Sequence, residues 1–142
     1  MIHKYFYQIF FFTPCRFLTL VAILSICYHG TTSLRVACKF QQNSFTNLIN
    51  DLYACETDFD VTTSETVEEI NGKHLSGSSN SDVEELWIQN GTMKKFPSGF
   101  EIFFENLLSI SAISLELEEI HQTDLAGFTK LRELDLSDNK IQ

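Results

Sequence analysis

From Val83 onward, apolar side chains recur with a period of 24 residues. Val83, Leu86, Ile88 and Met93 are matched one period later by Leu107, Ile110, Ala112 and Leu117, and two periods later by Leu131, Leu134, Leu136 and Ile141. At 44% apolar composition, eight coincidences out of eight arise by chance roughly one time in a thousand, so the period is a property of the fold. Spacings of three and then two within each unit predict a short strand that buries alternate residues and then turns into a loop. The intervening residues fall on the opposite face of that strand. They form three rows: Glu85, Trp87 and Gln89; Ser109, Ser111 and Ile113; and Glu133, Asp135 and Ser137. Phe96 with Pro97, and Ile120 one period on, take apolar places in the loops, and Phe104 and Phe128 close each unit.

Upstream the period shortens. Val67 begins VEEI and Val83 begins VEEL, and the intervening NGKHLSGSSNSD is rich in Gly, Ser and Asn, which suits an irregular return rather than a helix. This predicts that 67–72 is the first strand of the same parallel sheet. Before it, Leu34, Val36, Cys38 and Phe40 alternate with Arg35, Ala37 and Lys39, the period of a half-buried strand. Residues 52–61 offer a second extended segment, with Tyr53, Cys55, Phe59 and Val61 on one face. The two predict a hairpin covering the open end of the first unit, since terminal units expose a sheet edge unless capped.

Residues 1–33 contain no acid, carry Lys4 and Arg16, and run into the apolar FLTLVAILSIC at 17–27. An apolar run of about eleven residues falls short of the roughly 20 needed to span a bilayer, and Thr31, Thr32 and Ser33 are small. The segment reads as a secretory signal with cleavage near Ser33; a signal anchor is the alternative. Its removal leaves eight basic against 19 acidic side chains, an acidic balance that disfavours nucleic acid and anionic membrane surfaces. It also takes away Cys15 and Cys27, leaving Cys38 and Cys55, which pair most simply in an oxidising compartment. A metal site would need further ligands, and His74 and His121 are distant in sequence.

The last unit, LRELDLSDNKIQ, carries the LxxLxLxxNxL spacing of a leucine-rich repeat. With HLSGSSNSDVEELWI and FPSGFEIFFENLLSI, it makes residues 34–142 resemble secreted arthropod leucine-rich-repeat proteins and the N-terminal part of Toll-like receptor ectodomains. The resemblance implies an α/β-type repeat solenoid with a concave parallel β-sheet and a disulfide-pinned N-terminal β-hairpin cap. Its divisions are a signal peptide at 1–33, a cysteine-containing cap at 34–66, and repeats at 67–142 with the last one incomplete. The front end of a longer solenoid, with a final strand lacking a cover, is the corresponding expectation for Leu131, Leu134, Leu136 and Ile141. One departure stands out: Asn139 fills the asparagine position, but Leu115 and Gly91 stand there one and two periods earlier, which predicts looser loops at those turns.

Function is expected on the concave face. Glu85, Trp87, Gln89, Ser111, Ile113 and Asp135 are the candidate ligand contacts, with Trp87, the single tryptophan, first among them because Trp anchors interfaces. Asn90-Gly91-Thr92 is a glycosylation sequon. No nucleophile motif, phosphate loop or metalloprotease signature occurs. Glu116, Glu118 and Glu119 read as a solvated run, and DLSDN lacks the spaced ligands of a calcium loop. The expectation is a secreted, non-enzymatic recognition protein without cofactor or metal, binding a protein or other extracellular ligand. A receptor ectodomain fragment is the alternative, and a secreted enzyme or enzyme inhibitor a more distant one.

Overall fold

The computed structural model describes residues 32–42, 49 and 51–142. The segment expected to be a secretory signal, 1–33, lies outside them, apart from Thr32 and Ser33, which open the first strand. Seven strands form in chain order: β1 Thr32–Ala37, β2 Lys39–Gln42, β3 Tyr53–Asp58, β4 Glu65–Asn71, β5 Glu85–Asn90, β6 Ser109–Ala112 and β7 Glu133–Asp135. Two single-turn helices, α1 Phe100–Phe103 and α2 Gln122–Leu125, lie between the last three strands.

The alternation at 34–40 is realised, with Leu34, Val36, Cys38 and Phe40 buried and Arg35, Ala37 and Lys39 exposed. The strand breaks at Cys38, and its halves join different sheets. β2 pairs antiparallel with β3, Phe40 opposite Cys55, and the Cys38–Cys55 disulfide, with Cα atoms 5.1 Å apart, fastens the start of this hairpin. β1 pairs parallel with β4 in a separate sheet.

Here the architecture departs from the repeat solenoid that the spacing and the resemblance predict. The described residues form two sheets, of two and five strands, with two short helices and no solenoid. The five-stranded sheet, ordered β2-β3-β5-β6-β7, is mixed rather than parallel throughout. The segment expected as its first parallel strand, 67–72, is instead the body of β4 beside β1, Leu34 opposite Val67 and Val36 opposite Ile70. Those apolar pairs give β4 a buried partner far away in sequence, and β3 takes the place next to β5. The 24-residue period survives as the register of three strands, aligning Leu86, Ile110 and Leu134.

Both sheets feed one core. Behind the five-stranded sheet, Phe100 lies with ring centroids 6.1 Å from Phe59 and 6.0 Å from both Phe96 and Phe104, and Phe128 meets Phe96 edge-on at 6.4 Å. These separations suit offset and edge-to-face aromatic contacts. The turns expected to be loose are tied. Leu115 is buried, its N–H donates to Asn139 Oδ1 at 3.0 Å, and its carbonyl accepts from the Met93 N–H at 2.7 Å. Gly91 sits at φ +116°, where a Cβ would stand 2.0 Å from the Phe59 carbonyl oxygen, so the chain passes too closely there for any side chain.

Candidate recognition face

Opposite the core, the five-stranded sheet presents side chains in two rows set by strand register. One runs Gln41, Ala54, Glu85, Ser109 and Glu133, and the other Lys39, Glu56, Trp87, Ser111 and Asp135. Of the sequence-selected contacts, Glu85, Trp87, Ser111 and Asp135 are thereby brought together. Gln89 is exposed towards the end of β5, and Ile113 lies just past β6, half-buried.

Burial divides the face. Glu85, Ser109 and Ser111 are buried, whereas Trp87, Glu133 and Asp135 are partly exposed. The accessible part therefore centres on Trp87 and Asp135 rather than on the whole strand row. Asp135 Oδ1 accepts from the Ser137 hydroxyl and, at 3.0 Å, from its backbone N–H. These bonds, the hydroxyl first, hold the carboxyl below the usual aspartate value, so it carries its charge at neutral pH.

Lys39, Gln41 and Glu56 share this face, although the repeat spacing does not single them out. Glu56 accepts from Lys39 Nζ at 3.0 Å and from Gln41 Nε2 at 2.6 Å. The signal for it was present: if Tyr53 and Cys55 face the core, Glu56 must face away.

His74 is tied into the fold. The His74 ring stacks on Phe40 with centroids 3.8 Å apart, and its nitrogens lie 2.9 Å from the Tyr53 hydroxyl and 3.0 Å from Asn80 Oδ1. With Nε2 donating to Asn80, Nδ1 is left to accept the tyrosine proton. The Tyr53 oxygen in turn accepts the Leu75 N–H at 3.2 Å, which pins the Gly/Ser/Asn-rich return against the hairpin. His121 lies 3.6 Å from Glu119 beside a cleft of about 190 Å³ lined by Glu65, Lys95, Phe96, Glu119 and Asp124 among others. Within the cleft, Lys95 pairs with Glu119, and the Asp124 carboxylate accepts the His121 backbone N–H at 2.8 Å.

The carboxylates at Glu116, Glu118 and Glu119 are ion-paired rather than merely solvated. Lys94 meets Glu118 at 2.8 Å, Lys140 meets Glu116 at 2.9 Å, and Lys95 meets Glu119. Each pair joins neighbouring 24-residue units across the turns. Asn90 is exposed, and Thr92 donates its N–H to Asp60 Oδ1 at 2.7 Å, fixing the sequon in a defined turn. Among the described residues, no three His, Cys, Asp or Glu side chains gather in a way that could hold a metal ion. No helix among them is long and apolar enough to cross a membrane.

Comparison with known proteins finds no matching family model, no matching curated protein and no matching solved structure.

Proposed function

We propose that the chain is a secreted, non-enzymatic recognition protein that binds an extracellular protein partner on the outer face of the five-stranded sheet, with Trp87 as the central contact. One observation carries the reading. The single tryptophan is partly exposed in mid-sheet, between Glu56 and Ser111 in register, with Asp135 one strand further on. A rigid aromatic side chain framed by carboxylates on a sheet whose other face is buried is the composition of an interface anchor with a polar rim. The disulfide is of the kind found in oxidising compartments, and the leader at 1–33 supports export.

The test is affinity capture from extracellular fluid with the wild-type chain and with Trp87→Ala, each checked for intact fold by circular dichroism. Loss of the captured partner in Trp87→Ala supports the reading. Equal recovery by both chains overturns it.

A further inference from the structure

Strict alternation along β5 would turn Asn90 inward with Leu86 and Ile88, where no glycan could be carried. The register with β3 does otherwise. Ala54 lies opposite Glu85, Glu56 opposite Trp87 and Thr57 opposite Ile88, but Asp58 lies opposite Asn90 rather than Gln89. Gln89 is therefore an extra residue, a β-bulge, and a one-residue shift moves the following side chain to the other face. Asn90 comes out beside Asp58, which follows Ala54 and Glu56 on the outer side of β3. Exposure agrees: Ile88 is buried, whereas Gln89, Asn90 and Asp58 are all exposed. The bulge thus delivers the sequon asparagine to the same face as Trp87, about 10 Å further along the strand at roughly 3.3 Å per residue.

We infer that Asn90 carries an N-linked glycan that walls one side of Trp87, so that a partner reaches the tryptophan across the strands from the β6–β7 side, over Ser111 and Asp135. The donor is a lipid-pyrophosphate-linked oligosaccharide of the secretory compartment. Asn90 Nδ2 attacks the anomeric carbon of its first sugar, a C–N bond forming as the C–O bond to pyrophosphate breaks; the amide loses one proton and the lipid pyrophosphate leaves. The inference rests on export of the chain, and its readouts need no partner.

The surroundings of Trp87 give the wall its consequence. Along the strands, the row on the side away from Asn90 is closed, since Ala54, Glu85 and Ser109 are buried. Across the strands towards β2, Glu56 is occupied by Lys39 at 3.0 Å and by Gln41 at 2.6 Å. A bulky, hydrated glycan at Asn90 closes the third side. What stays open runs over Ser111, opposite Trp87 on β6, to Asp135, opposite Ser111 on β7.

The full chain, wild type and Asn90→Gln, is expressed in cultured insect cells, and the exported protein is measured by intact mass before and after peptide:N-glycosidase treatment. Wild type is expected to lose the mass of one glycan and Asn90→Gln to show no change. Because Trp87 is the single tryptophan, acrylamide quenching of indole fluorescence then reads its accessibility alone. Quenching is expected to rise about twofold or more on glycan removal, to the level of Asn90→Gln. Export without a glycan at Asn90 overturns the inference, as does a glycan whose removal leaves quenching unchanged. Retention of the chain inside the cell without glycan overturns the export reading together with it. Capture of a partner that depends on Trp87 is scored separately, so failure of the wall and failure of the contact are distinguishable.

Discussion

Replacing Asn139 with alanine removes the side chain that ties the last turn to the one before it. Its Oδ1 accepts the Leu115 and Leu117 N–H groups, both at 3.0 Å, and its Nδ2 donates to the carbonyls of Ala112 at 2.6 Å and Leu136 at 2.9 Å. The substitution orphans two N–H groups at a half-buried site, at about 1 kcal/mol each, and removes two donated bonds whose carbonyls are more easily resolvated. The expected loss is about 2–3 kcal/mol. In native-state hydrogen exchange this is a fall in protection of roughly 30- to 150-fold at the Leu115 and Leu117 amides. Asn139→Asp keeps the acceptor but turns an oxygen towards the Ala112 and Leu136 carbonyls, and is expected to be at least as damaging. If Asn139→Ala costs under about 0.5 kcal/mol and leaves both amides equally protected, the reasoning about this side chain is refuted.

Three further outcomes are expected. Phe100→Ala empties the centre of the aromatic cluster, where Phe100 is fully buried, and should cost about 3–5 kcal/mol in chemical denaturation; a loss under about 1 kcal/mol would mean the cluster does not hold the sheet. Ser109→Ala deletes a buried hydroxyl oxygen with no partner and should leave stability unchanged or raise it by about 1 kcal/mol; a loss of that size would show that the hydroxyl has a role in the free chain. Hydrogen bonds from Lys140 and Lys95 hold Glu116 and Glu119 below the usual 4.5, and Ser79 and Ser137 hold Asp82 and Asp135 below 3.8. Folded-state values below the unfolded ones mean stabilisation that is complete above the unfolded values and is lost as the pH falls through the folded ones. Because these groups are exposed, the acid loss should be shallow and reduced by high salt; a steep loss above pH 5 would contradict this assignment.

How far the sequence foretold the molecule varies along the chain. The period-24 leucine positions were legible because burial on one strand face depends on local alternation, and Leu86, Ile110, Leu107 and Leu117 are all buried as read. The disulfide was legible from the cysteine count, but the hairpin only in part, since the strand read at 34–40 breaks at Cys38, with Lys39–Gln42 pairing with β3 and Thr32–Ala37 joining β4. The pairing of β4 was not, since VEEI and VEEL carry the same local pattern and the choice between β1 and β5 depends on distant apolar partners at Leu34 and Val36. Nor was the burial of Glu85, Ser109 and Ser111, because alternation tells which face a residue occupies and not what covers that face. Asn139 was recognised as the one turn position that fits the repeat, with Leu115 and Gly91 as departures, but its bonds to the Leu115 and Leu117 N–H groups depend on the register between turns. That register makes the earlier turn ordered without an asparagine of its own.

A partner seated over Trp87, as proposed, shields that side chain from solvent. Hydroxyl-radical footprinting of the chain, free and in complex with its captured partner, tests it through side-chain oxidation read by mass spectrometry. Trp87, oxidised in the free chain, is expected to be protected in the complex, while His121 beside the Lys95–Glu119 pair is unchanged. Protection of His121 with undiminished oxidation of Trp87 would contradict it.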